Sequence, residues 1–214
     1  MNVIKPYRFI PKEEIERQAN DLLKQMEATQ NLAPKWPFDA TRVADFLDLG
    51  VVWDRIEPDE EGPIAAMILP LQSEIVINED ISAIHGGFGE STLAHEIGHW
   101  ELHIDHNAVG KFLDRRADGI EKTIIAPFLC RSDTIQRGIE WQAQYFASCL
   151  LMPVDKLEEV QKGRDLTKWP HLYAIKDELG VTISNLTNRL QDIDWIHIPK
   201  NSKQIYLGKA APGR

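Results

Sequence analysis

The chain has 214 residues, of which 43% are hydrophobic and 27% charged, a formal net charge of −9, and two cysteines, Cys130 and Cys149. That balance belongs to a soluble globular protein of one domain, or one domain with a small appendage, and its acidity disfavours direct DNA binding, which draws on Lys and Arg. Nothing approaches the ~18 apolar residues of a membrane helix, the opening MNVIKPYRFIPKEE lacks a signal-peptide core, and two cysteines without a C-x-x-C partner fit a reducing cytoplasm.

Taken in order, residues 11–30 predict an amphipathic helix, with Ile15, Ala19, Leu22, Leu23 and Met26 at helical spacing. NLAPKWP (31–37) is a turn-rich joint, and Asp39 is placed to cap a helix carrying Val43, Phe46 and Leu47 and stopping at Gly50. Val51–Ile56, Ile64–Leu71 and Glu74–Asn78 read as three strands joined by short connections, hence a small antiparallel sheet. An edge of such a sheet can hold an extended peptide through its main chain. His85 lies in a glycine-rich loop, where a lone histidine is ordinarily just solvated.

Next comes STLAHEIGHWELH (91–103), with a helix expected to start at Glu90 or Ser91. His95 and His99, four apart, stand about 40° apart around a helix axis and about 6 Å along it, so both rings reach one ion. Glu96 between them takes the position of a general base in the H-E-x-x-H arrangement of zinc peptidases. His99 and His103 share the same spacing and are a second geometrical pair, but only His95/His99 encloses a Glu in the base position, directly after the first histidine. His106 sits about 16 Å along the axis from His95, too far to share an ion. Gly98 is costly inside a helix, which points to close approach of another backbone.

Residues 107–132 read as a charged surface excursion returning through a short strand. DTIQRGIEWQAQYFASCLLMP (133–153) then predicts a helix with Ile139, Ala143, Phe146, Ala147, Leu150 and Leu151 on its apolar face, ended by Pro153. A catalytic zinc takes three protein ligands and leaves a position open. Glu140, beside small Ala143 and Ala147, is the candidate third ligand; taken alone it reads first as an ordinary surface charge.

These stretches together resemble the ImmA/IrrE family of metallo-endopeptidases. The resemblance rests on EIVIN (74–78), STLAHEIGHWELH (91–103), EWQAQYFASCLLMP (140–153) and residues 169–198. The family's second motif, E-x-x-A-N-x-F-A-x-x-L-L-M-P, is matched at Glu140, Ala143, Phe146, Ala147, Leu150, Leu151, Met152 and Pro153. Gln144 stands where the family usually has Asn, which bears on a polar contact near the site. The resemblance implies His95, His99 and Glu140 as zinc ligands and Glu96 as the catalytic base. It further implies a bacterial or phage-borne protein that cleaves a helix-turn-helix repressor and so derepresses stress or mobile-element genes. Three alternatives to that reading stay open: a protein that sequesters a repressor or antitoxin-like partner uncut, a DNA-binding regulator, and manganese in place of zinc.

Trp169–Leu179, Gly180, then a helix capped by Thr182 with Leu186 and Leu190 inward and Arg189 outward, form a helix-turn-helix-like pair. One Arg and two Asp in ISNLTNRLQDID make it a poor DNA reader and favour packing or substrate docking. Trp195–Ile198 and Ile205–Leu207 read as short strands. Tyr145, His171 and Tyr173 are the candidates for an oxyanion donor. The expected architecture is α+β: a zincin-like domain over 1–162, the helical pair and strands over 163–207 packed on it, and a disordered tail over 208–214.

Overall fold

Ile15, Ala19, Leu22, Leu23 and Met26 all turn inward from one helix, α1 (Lys12–Glu27), in a computed structural model that describes residues 3–80, 87–120, 125–130 and 138–208. His85 and the tail from residue 209 lie outside the described residues. After α1 come α2 (Thr41–Phe46), β1 (Gly50–Asp54), β2 (Ala66–Leu69) and β3 (Glu74–Asn78). Then follow α3 (Gly87–His103), α4 (His106–Ala117), β4 (Phe128–Cys130) and α5 (Ile139–Leu151). The chain continues through α6 (Val154–Val160), α7 (Trp169–Leu179), α8 (Ile183–Asp192), β5 (Ile196–His197) and β6 (Tyr206–Leu207). The class is α+β, as expected.

The sheet corrects the antiparallel expectation. Its order is β1-β3-β2-β4, and β1 runs parallel to β3, with Val51 opposite Ile75 and Trp53 opposite Ile77. Only β2 pairs antiparallel, with β3 on one side and β4 on the other. Both short connections reverse the chain. After both, β3 runs in the direction of β1, and it inserts between β1 and β2 instead of lying outside them. Among the described residues that leaves β1 and β4 as edges. β3 carries the most buried strand sequence, with Ile75, Val76 and Ile77 inside, as a central strand should.

Two helices escaped the sequence reading. Residues 106–117 form α4, whose N-terminus is capped by the Asp105 side chain accepting from the Ala108 amide. Val109 and Phe112 are its only buried residues, so its apolar stripe is thin among the charges. α6 is a two-turn helix begun at Pro153. Asp39 accepts from the Thr41 amide and hydroxyl just ahead of α2, which ends at Phe46, short of Gly50.

The core holds α3 against α5. Leu93, Ala94 and Ile97 meet Phe146, Ala147 and Leu150 within one continuous cluster that also takes in Ile15, Leu172 and Leu186. At the crossing, a Cβ added to Gly98 would lie 2.9 Å from the Ala143 carbonyl oxygen and 3.1 Å from its Cα. The backbones themselves are in contact, which is the reason for a glycine in mid-helix. An N-terminal strap lies along the end of α3: the Lys5 amide donates to the His103 carbonyl at 2.8 Å, and the Asp105 amide to the Val3 carbonyl at 2.8 Å.

The helical pair α7–α8 turns at Gly180, whose φ of 77° is left-handed, and Thr182 caps α8 by accepting from the Asn185 amide at 3.1 Å. Arg189 is not outward as the sequence suggested. It is 0% exposed, donating to the Met152 carbonyl and to Glu16, and resting against Tyr145. The strands β5 and β6 pair antiparallel, with Ile196 opposite Leu207.

Replacing Gly98 by Ala should separate α3 from α5. Overpacking of this kind costs about 1–3 kcal/mol, against about 1 kcal/mol gained in helix propensity. Urea unfolding should show a net loss of stability; an unchanged or raised midpoint would mean the crossing yields without strain.

Candidate metal centre

α3 supplies His95, Glu96, His99 and His103, and α5 supplies Glu140 and Gln142. Glu140 lies in the first turn of α5, and the Gly98–Ala143 crossing brings that turn under the histidine pair. His95 Nε2 lies 3.0 Å from His99 Nε2 and 3.0 Å from Glu140 Oε2, and His99 Nε2 lies 3.3 Å from the same carboxylate oxygen. Ligands about 2.0–2.1 Å from one ion at tetrahedral angles stand about 3.3 Å apart. Two imidazoles and a carboxylate at these separations therefore fit a metal ion with a position left for water. The His95 and Glu140 side chains are each 17% exposed and that of His99 is 0%, so the cluster opens to solvent on one side.

Charge is coupled across the cluster. Burial disfavours a charged His95, yet the hydrogen bond to Glu140 and the nearby Glu96 and Glu140 carboxylates outweigh it and raise its pKa. Burial likewise works against the Glu140 carboxylate, but the His95 and His99 rings against it overcome that and hold its pKa down at about 2. Gln144, the departure from the resembled motif, is an exposed polar residue near His95 and adds slightly to the upward shift of its pKa.

Glu96 is 2% exposed and accepts a hydrogen bond from the Cys130 thiol at 2.7 Å. Glu96, His99 and Cys130 form a second group whose potential donor atoms lie within 4.8 Å of one another. There the thiol is already engaged with the carboxylate and fully protonated: burial, then the Glu96 charge, raises its pKa well above the ordinary value. The first group is thus the better metal site. Cys130 was missed by the sequence reading, since it reaches Glu96 from β4, an edge strand distant along the chain. Phe128 of the same strand lies with its ring 4.9 Å from that of His99.

His103 is kept out of the cluster by its direction, facing His99 Nδ1 and not the Nε2 side. Burial pushes its pKa down to about 4. The oxyanion candidates look elsewhere. The Tyr145 hydroxyl accepts from Arg189, and His171 Nδ1 accepts from the Asp165 amide at 2.7 Å. Tyr173 is half exposed on α7, beside Trp169.

Both cysteines are buried, and burial raises the Cys149 pKa to about 12. Neither should react with iodoacetamide in the native protein at about pH 8, where an ordinary exposed thiol does. Intact mass should show no adduct before unfolding and two after it; one adduct in the native state would mean that β4 or α5 opens.

Among solved structures, a Mycobacterium tuberculosis transcriptional regulator superposes with a TM-score of 0.52 at 12% sequence identity, covering 95% of this chain and 63% of that one. The likeness is one of fold, and this chain spans less than two thirds of that protein. No curated protein matches. No helix among the described residues is long and apolar enough to cross a membrane. A model of the IrrE N-terminal-like domain matches residues 71–191, a stretch that holds α3, α5 and every side chain of the cluster. With more than half of its length so matched, the chain belongs to the Peptidase_M78 family, a family of metallopeptidase type.

Proposed function

We propose that this chain is a zinc-dependent endopeptidase in which His95, His99 and Glu140 hold the ion and Glu96 is the general base. The observation that carries the reading is the convergence of His95 Nε2, His99 Nε2 and Glu140 Oε2 within 3.0–3.3 Å in a chain of a metallopeptidase family. When bound, zinc polarises the scissile carbonyl and lowers the pKa of its water towards ~7. Glu96 takes the proton from the attacking water and passes it to the leaving amine. The Cys130 thiol, donating to one carboxylate oxygen, holds Glu96 in place and leaves the other oxygen for that work. β4 is an edge strand next to the site, paired with β2 on its other side, and it can seat an extended peptide by main-chain hydrogen bonds.

The substrate proposed is a helix-turn-helix transcriptional repressor of a bacterial cytoplasm, on the strength of the resemblance at residues 91–103 and 140–153. Cleavage would release the genes that the repressor silences. The manner of substrate docking is left to β4 and the surface beside it, since α8 spends its one cation in the core.

Glu96→Gln should keep zinc at one per chain and lose turnover by about 10²–10⁴-fold, whereas Glu140→Gln should lose zinc itself. Partners captured on Glu96→Gln from the native cell, then exposed to zinc-loaded wild type, should acquire new termini by mass spectrometry. Cleavage by Glu96→Gln at the wild-type rate would overturn the mechanism. A partner held by both proteins and cut by neither would replace proteolysis with sequestration.

A further inference from the structure

His99 presents Nε2 to the cluster, and only the neutral tautomer with its proton on Nδ1 leaves that lone pair free. The structure contains a way of choosing it. Gln142 Nε2 lies 2.9 Å from the Arg8 main-chain carbonyl, an acceptor only, so the carboxamide nitrogen must face Arg8. Its oxygen therefore faces His103 Nε2 at 2.9 Å and can only accept, which puts the His103 proton on Nε2. Neither hydrogen-bond partner of His103 is a carboxylate that would hold a second proton on it, and the ring is 6% exposed, so it is a single-proton imidazole whose Nδ1 is a bare acceptor. That Nδ1 stands 3.0 Å from His99 Nδ1, and the one proton between them belongs to His99.

We propose that His103 and Gln142 are positioning residues: a hydrogen-bond chain from the Arg8 carbonyl through Gln142 and His103 fixes His99 as the Nδ1-protonated tautomer and aims its Nε2 lone pair at the metal position. The direction is set from one end, the Arg8 carbonyl, which can only accept. The carbonyl at the start is on the N-terminal strap, which is pinned to α3 by the Lys5 and Asp105 amides and lies outside the family-matched residues 71–191. The strap is thus part of the metal centre without touching it. Metal-ligating histidines generally donate their second ring N–H to a group that sets their orientation, and loss of that group costs about 10–100-fold in metal affinity. Here the acceptor is another histidine, which works only while a third side chain holds that histidine's tautomer.

The proposal rests on the metal reading of the cluster, so its test includes a measurement made without metal. In the metal-free wild-type protein, ¹⁵N shifts of labelled histidines should show His99 protonated at Nδ1 and His103 at Nε2. In Gln142→Leu the His99 signal should move towards the Nε2-protonated form. Competition with a chromophoric chelator should show zinc binding weakened about 10–100-fold in His103→Phe and Gln142→Leu, and within about threefold of wild type in His103→Asn, whose Oδ1 replaces Nδ1 as acceptor. Circular dichroism checks that each variant is folded. His99 protonated at Nε2 in the wild type, or zinc affinity unchanged in both His103→Phe and Gln142→Leu, would overturn the relay. A wild-type protein with the expected tautomers that binds no zinc would overturn the metal reading and leave the relay standing.

Discussion

The backbone contact between Gly98 and Ala143 fixes the rest of the site. Two packed helices usually keep their axes about 8–10 Å apart, with side chains between them. Here a glutamate on one helix and two histidines on the other stand at an oxygen-to-nitrogen spacing of 3.0–3.3 Å, beside a crossing where the two backbones themselves touch. Gly98 removes the side chain at the crossing, and Ala143 and Ala147 keep the facing surface low. The same contact sets Gln142, the neighbour of Ala143, against His103 on the far side of His99. One close approach therefore places both the cluster and the hydrogen-bond chain behind it.

That arrangement buries polar groups in number, and their cost is offset by pairing. Glu96, His99, His103 and Gln142 are all buried, each with a hydrogen-bonding partner in another of the site's side chains. Among the described residues no buried side-chain nitrogen or oxygen lacks a partner. In a low-dielectric interior such a network is strong when complete and costly when one member is missing. This explains why α3 has little amphipathic contrast. Leu93, Ala94, Ile97 and Trp100 are buried along with Glu96, His99 and His103, so polar and apolar residues share its covered surface.

How much of this the sequence disclosed depended on whether a feature was local. The spacing of His95, Glu96 and His99 along one helix was legible, because helical geometry alone brings them together. Gly98 announced a neighbour, though not which one. Thr182 and Gly180 gave the turn into α8 by their cap chemistry. Strand order was hidden, since two short connections fit both an antiparallel meander and the observed insertion of β3 between β1 and β2. Cys130 was hidden too: nothing in FLC says that its thiol will meet a glutamate on another element. Arg189 was misread for a different reason. Leu186, Arg189, Leu190 and Ile193 recur at the i, i+3, i+4, i+7 spacing of an inward face, and the periodicity was right where the residue type suggested solvent.

The buried arginine decides what the helical pair can do. A helix that reads DNA must present cations to phosphates, and α8 has a single one, Arg189, which is spent on Glu16, on the Met152 carbonyl and on Tyr145. Removing it to solvent would strand Glu16 and open the joint where α1, α5 and α8 meet. Met152 directly follows α5, the helix that carries Glu140 and Gln142, so Arg189 ties α8 to the far end of that helix. The outward residues of α8 reinforce the point, since Asp192 is already paired with Lys12 of α1. α8 thus packs as a brace in this structure: its one arginine is turned inward onto the end of α5, the helix that carries Glu140 beneath the two histidines.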